Sequence, residues 1–191
     1  MLELKTLKGA TTMKLKIILP LVGGLLLHYS TQGNNMRTIK NENPPNIEQK
    51  YISVLSYICD MLHDKDITWV LYGGGSLALR GIDFALHDVD ILTDEKGVDI
   101  ISNALQEYII STNTNEKLRI TTFNIDGITI ECKASKTHSP FAQDPDYITI
   151  NNHQVPLISL SNQLKAYRVC NRDKDQPKIQ AIEKIFNQAQ Q

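Results

Sequence analysis

Aspartate pairs of the form Asp-x-Asp occur four times in this chain, at Asp64/Asp66, Asp88/Asp90, Asp144/Asp146 and Asp173/Asp175. Lys65 and Lys174 interrupt the first and last pairs and Pro145 the third, so these three are expected in solvated loops or helix caps. Asp88-Val89-Asp90-Ile91 alone alternates an acid with a β-branched apolar residue, the pattern of a half-buried strand. Residues i and i+2 of a strand share a face, with Cα atoms about 6–7 Å apart. Asp88 and Asp90 would then converge on one side while Val89 and Ile91 enter the core. Two carboxylates that close repel, and burying them is costly unless a cation neutralises them. Mg²⁺, a hard ion that prefers oxygen ligands, is the natural partner.

A third acid follows from the same alternation. In Ile128-Thr129-Ile130-Glu131-Cys132 the apolar side chains take one face and leave Thr129 and Glu131 on the other. Beside Asp88 and Asp90 on a neighbouring strand, Glu131 would complete a three-carboxylate cluster. Gly73-Gly74-Gly75 supplies a backbone able to approach a polyphosphate closely, at a point where a helix begins and free N–H groups favour anions. Gly73-x-Gly75-x-x-Ala78 fits the dinucleotide fingerprint in form only. Gly81 cuts the helix short and the acids arrive on the very next strand, not some 20 residues later. No Lys-Ser/Thr follows for a P-loop.

The elements that must hold these residues are readable in outline. Ile47, Tyr51, Val54, Ile58 and Met61 recur at helical spacing and predict a helix over 46–64. The apolar, β-branched stretch 67–72 reads as a buried strand ended by the glycines. A short helix over 76–80 is expected to close at Gly81, a second strand over 89–92, and a helix over 96–108. Segments 119–125 and 128–132 flank Asp126-Gly127, which favours the type I′ turn of a hairpin. Segment 147–150 is expected as an edge strand, and two helices over 161–169 and 175–188 close the chain. Strands alternating with helices, then a hairpin, give an α/β (α+β) domain: a small mixed sheet flanked by helices.

With 191 residues, the chain is long enough for one domain with a single substantial core. Twenty basic against 21 acidic side chains and a pI near 6.5 leave no global basic footprint for DNA or an anionic membrane. Neither partner is expected. Cys59, Cys132 and Cys170 are scattered, and neither a zinc site nor a disulfide framework follows. At the N-terminus, Lys14-Leu15-Lys16 precedes an apolar run over 17–27, broken by Pro20, Gly23 and Gly24, the outline of a secretory signal. No A-x-A cleavage site follows it, and Met36 is an equally good start for the working chain. Residues 1–45 are therefore expected as a disordered leader, signal-like or spurious, and 46–191 as the functional domain.

Tyr72-Gly73-Gly74, thirteen further residues, then Asp88-Val89-Asp90-Ile91 resembles the hG[GS]-x(9–13)-Dh[DE]h signature of the DNA polymerase β nucleotidyltransferase superfamily. The likeness is greatest to small bacterial enzymes that modify aminoglycosides and lincosamides. Glu131 matches the family's third carboxylate. Leu157-Ile158-Ser159-Leu160 with Leu164-Lys165, then Arg172-Asp173-Lys174-Asp175, is similar to its C-terminal helices. The resemblance spans about residues 46–188. One departure is Gly74, where many members carry a serine whose hydroxyl meets the phosphates; Ser76 is a candidate to compensate.

The resemblance implies a polymerase-β-type fold and transfer of a nucleoside monophosphate from an NTP, with ATP the expected donor, to a hydroxyl of an unknown acceptor. Asp88 and Asp90 would hold Mg²⁺, with two ions expected. Glu131 would share the second ion or take the acceptor's proton. Gly73, Gly74 and Ser76 would cradle the phosphates, with Lys165 and Arg172 as further cations for them. The alternative is a non-catalytic binding or regulatory module on the same fold, such as one half of a toxin–antitoxin pair. Extracellular fluid is poor in NTPs, so this chemistry favours the cytoplasm; export through the signal-like segment 14–27 is the alternative.

Overall fold

The computed structural model describes residues 17–18, 27–32, 36–41 and 47–188, the first three groups as backbone alone. The signal-like segment 14–27 falls mostly outside the described residues, as does the expected boundary at 45–46. In chain order the strands are β1 (Ile17–Ile18), β2 (Leu27–Gln32), β3 (Met36–Asn41), β4 (Trp69–Tyr72), β5 (Val89–Thr93), β6 (Ile109–Thr114), β7 (Leu118–Ile125), β8 (Ile128–Ser135), β9 (Asp146–Ile150) and β10 (His153–Leu157). The helices are α1 (Gln49–Leu62), α2 (Gly73–Leu79), α3 (Glu95–Ala104), α4 (Leu160–Cys170) and α5 (Gln176–Gln188). Among the described residues no helix is long and apolar enough to cross a membrane.

Seven strands, β4 to β10, form a mixed sheet in the order β9-β10-β4-β5-β8-β7-β6, and the backbone of β3, β2 and β1 continues it beyond β9. The β4–β5 pair is antiparallel and β5–β8 parallel, which puts the two aspartate-bearing and glutamate-bearing strands side by side at the centre. The expected hairpin is β7–β8, with positive φ at both Asp126 (52°) and Gly127 (77°), as a type I′ turn requires. The backbone strands β1, β2 and β3 fall within the segment 1–45 expected to be disordered, and two of the seven strands β4 to β10 were not foreseen either. β10 contains Pro156, whose missing N–H argues against a sheet interior. β6 consists of exposed residues following a helix that stops at Ala104 rather than continuing to 108; a short 3₁₀ turn, Gln106–Tyr108, joins the two.

Alternation along the strands divides the core between the two faces of the sheet. Leu71, Val89, Ile91, Ile130 and Cys132 pack under α1 and α3, where Val54, Leu55, Ile58, Val98 and Ile101 close that layer. Val70, Tyr72 and Leu92 point the other way, against α2, α4 and α5 through Leu77, Leu164, Tyr167, Ile179 and Ile182. Asp90 and Glu131, out of phase with Ile91 and Ile130, belong to this second face.

Two acids expected in solvent are instead inside. Asp146 opens β9 and is buried against Arg80, itself fully buried at the end of α2; their Nη2–Oδ2 distance is 2.9 Å. Arg80 also donates to the carbonyls of Ser76 (2.9 Å) and Ile158 (2.6 Å), which explains how its charge is tolerated. Asp175 is fully buried too and accepts from Arg172 Nε at 2.6 Å. For Asp146 the cation comes from a distant element and was invisible in the local Asp-x-Asp pattern; for Asp175 it stands only three residues away. Removing one partner of a buried pair strands the other's charge, so Asp146→Ala should cost about 3–5 kcal/mol in urea unfolding. Arg80→Met/Asp146→Leu should recover part of that loss. A single-variant loss under about 1 kcal/mol would show that the pair is not the tie between α2 and β9.

Candidate active site

Gly73 begins the site. It has φ of +76°, a left-handed conformation that only glycine adopts without cost, and it is the first residue of α2 immediately after β4. The antiparallel register sets Tyr72 opposite Asp90. A Cβ on Gly73 would collide with Asp90 Oδ2, so the turn and the acid can meet only because that residue has no side chain. At Gly74 the space is open, with Lys178 Cε of α5 the nearest atom at 3.9 Å. Gly74 is also the only residue of the glycine run not buried.

A buried network fixes the turn from behind. Gln163, on α4 and fully buried, donates Nε2 to the Gly73 carbonyl (2.7 Å), and its Oε1 accepts from Ser76 Oγ (2.6 Å). Ser76, expected to face a nucleotide, is fully buried with its hydroxyl committed to Gln163; its part is to hold the turn. The Tyr167 hydroxyl lies 2.7 Å from Gln163 Nε2 and closes the network. Gln163 has no sequence signature beyond a helix position on the same face as Leu160 and Tyr167.

The acids line the adjoining strands. Asp88 is half-buried just before β5, and Asp90 lies within it, directly opposite Glu131 of β8 in the parallel register. Glu131 is thus on the expected face beside Asp90. A residue not foreseen joins them: Lys133 Nζ lies 2.6 Å from Asp90 Oδ1 and 2.7 Å from Glu131 Oε2. The signal was present in the alternation Thr129, Glu131, Lys133 along one face of β8, and stopping the expected strand at 132 hid it. Among the described residues no three His, Cys, Asp or Glu side chains converge as a ready cage for an ion. Lys133 stands between two of the acids expected to form one.

Electrostatics follow from this packing. Burial pushes the Asp90 carboxyl above the ordinary carboxylate value; Lys133 pulls it back, while the charges of Asp88 and Glu131 push it up. Burial works against the Lys133 charge, but Asp90 and Glu131 outweigh it and the ammonium is held more firmly than usual. The donors suit a hard divalent cation, and the close approach of an ammonium demonstrates that the cluster attracts positive charge. Of the two cations proposed for phosphate, Lys165 is exposed on the outer side of α4, while Arg172 is tied to Asp175. Lys178, near Gly74, lies 3.7 Å from Asp175 and 5.6 Å from the Tyr167 ring centre.

Gly73 and Gly127 offer a matched pair of substitutions. Both have φ near +77°, but an added Cβ meets Asp90 at Gly73 and nothing within 4 Å at Gly127. Either alanine variant should lose about 1–2 kcal/mol to backbone strain. Gly73→Ala should in addition displace Asp90 and abolish the rise in melting temperature expected of the native protein with Mg-ATP. Equal behaviour of the two variants in melting with and without Mg-ATP would contradict the crowding at Gly73.

Comparison with known proteins places the fold and the family. A family model of aminoglycoside-2''-adenylyltransferases matches residues 54–182. No curated protein matches the chain significantly. Among solved structures, a Thermotoga maritima protein described as a nucleotidyltransferase is 25% identical with a TM-score of 0.57, covering 74% of this chain and 95% of its own. The crystal structure of ANT(2'')-Ia in complex with adenylyl-2''-tobramycin has the same fold at 9% identity, with a TM-score of 0.51 over 73% of this chain and 95% of its own. A mixed sheet of the polymerase β type carries the glycine turn and the acids, and the family match runs from within α1 to the middle of α5: the chain belongs to the aminoglycoside-2''-adenylyltransferase family of nucleotidyltransferase enzymes.

Proposed function

We propose that this chain transfers the nucleoside monophosphate of an NTP, with ATP the expected donor, to a hydroxyl of an aminoglycoside or similar amino sugar, releasing pyrophosphate. The observation that carries the reading is the contact between Gly73 and Asp90, with Glu131 on the adjoining strand in register. It joins a backbone turn fit for a polyphosphate to carboxylates fit for a divalent ion. The acceptor class is carried over from the family and from the tobramycin adduct of ANT(2'')-Ia.

Asp88 and Asp90 are the residues that would hold Mg²⁺. Bound there, the ion would offset the negative charge that develops on the departing pyrophosphate. The open backbone at Gly74 receives the triphosphate, whose close approach a bulky side chain would prevent. The acceptor oxygen attacks the α-phosphorus as the bond to the β-phosphate oxygen breaks, and pyrophosphate leaves with that electron pair. Glu131 Oε1 takes the acceptor's proton, with Oε2 held by Lys133. Gln163 and Tyr167 keep the turn rigid, so the reacting groups are positioned before the nucleotide arrives. The working domain in this reading is 46–191, and the leader takes no part in the chemistry.

Pyrophosphate release from ATP with Mg²⁺ and a panel of aminoglycosides tests the reading. Asp88→Asn and Asp90→Asn should each lower the rate about a thousandfold or more with unchanged circular dichroism. Asp64→Asn, on an exposed acid that meets the exposed His63 ring at 2.9 Å, should leave it within about twofold. No release with any acceptor, or equal losses in all three variants, would refute the assignment.

A further inference from the structure

Lys133 occupies the point at which a metal ion shared by Asp90 and Glu131 would have to sit. Its Nζ lies within 2.7 Å of an oxygen of each, on strands that are hydrogen-bonded neighbours with Asp90 and Glu131 in register. A Mg²⁺ ion bridging the same two oxygens would lie about 2.0–2.1 Å from each, within the volume the ammonium fills. The lysine is not a loose surface charge: its side chain is 22% exposed, that of Asp90 16% and that of Glu131 36%.

The two oxygens of Asp90 are divided between different neighbours. Oδ1 accepts from Lys133, and Oδ2 faces the glycine turn, where a Cβ on Gly73 would strike it. The side toward the turn is the one proposed above for the triphosphate, and Asp88 borders that turn, its backbone oxygen 3.5 Å from where a Cβ on Gly75 would stand. The side toward Glu131 is already neutralised. In a two-metal site the ions stand about 3.5–4 Å apart, one beside the attacking oxygen and one beside the leaving group. Here only the leaving-group side is left for an ion.

We propose that Lys133 permanently takes the place of the second metal, so that the chain binds a single divalent ion at Asp88 and Asp90 Oδ2 and completes the site with its own ammonium. This inference rests on the nucleotidyl-transfer reading and changes the two ions expected from sequence to one. Lys133 then lies on the acceptor side, where its N–H groups orient the attacking hydroxyl oxygen and fix Glu131 to receive the proton. A protein-borne cation also keeps that half of the site assembled before any nucleotide binds.

The test counts ions by electron paramagnetic resonance with Mn²⁺ and a non-hydrolysable ATP analogue. The wild type should bind about one ion per chain, Lys133→Arg about one, and Lys133→Ala or Lys133→Gln about two, the last pair with the exchange-coupled spectrum of adjacent ions. Lys133→Gln keeps the length of the side chain and serves if the alanine variant fails to fold. Two ions in the wild type, or a single ion in the wild type and the neutral variants alike, would overturn the proposal. No ion and no nucleotide bound to a folded wild type would instead refute the nucleotidyl-transfer reading beneath it.

Discussion

The site depends on the absence of one side chain. β4 and β5 run antiparallel with Tyr72 opposite Asp90, so the chain leaving β4 must turn directly over the Asp90 carboxylate. Gly73 makes that turn in a left-handed conformation, and Asp90 Oδ2 fills the space a Cβ would need. Any other residue would separate the turn from the acid, and with it the backbone proposed to meet phosphate from the carboxylate proposed to hold a metal. Much of the second face of the sheet serves to hold this contact. Gln163 reaches from α4 to the Gly73 carbonyl, and Tyr72 and Tyr167 pack with ring centres 5.8 Å apart.

Charge is used in the interior as well as at the site. Arg80 and Asp146 form a buried pair that joins α2 to β9, while Arg172, partly exposed between α4 and α5, binds the buried Asp175. Buried pairs of this kind contribute little net stability relative to an apolar filling, but a misassembled chain would leave each charge without its partner. Arg80 sits one residue beyond α2 and donates to the carbonyl of Ser76, its first-turn neighbour. The same helix that presents the glycine turn is thereby anchored at its other end. Lys133 extends this logic into the active site, where a fixed cation sits among fixed anions.

The parts of the molecule written in local patterns were legible from sequence. The period of α1, the Asp126-Gly127 turn and the alternation of Asp88 to Ile91 each depend on neighbours in the chain, and each is found in the fold. The central pairing of Asp90 with Glu131 was readable because both strands alternate so plainly. What escaped depends on partners far away in sequence. Asp146 looks solvated until Arg80, 66 residues earlier, is brought to it; Asp175 is the exception, since its partner Arg172 stands three residues before it and the pair was overlooked rather than hidden. Ser76 looks like a phosphate ligand until Gln163, 87 residues later, claims its hydroxyl. β10 escaped because Pro156 argues against a strand when read locally, although β9 and β4 enclose it.

The polar cavity on the other side of the sheet, about 570 Å³ and lined by Trp69, His63, Tyr147 and His153, supplies a contrast for the account's central claim that ion and nucleotide meet at Gly73 and Asp90. Anomalous diffraction from crystals grown with Mn²⁺ and an inert ATP analogue measures this directly. The account predicts a manganese peak in contact with Asp88 and Asp90, with the triphosphate against Gly74. A peak away from both aspartates, or a nucleotide seated in the Trp69 cavity with the glycine turn bare, would contradict it.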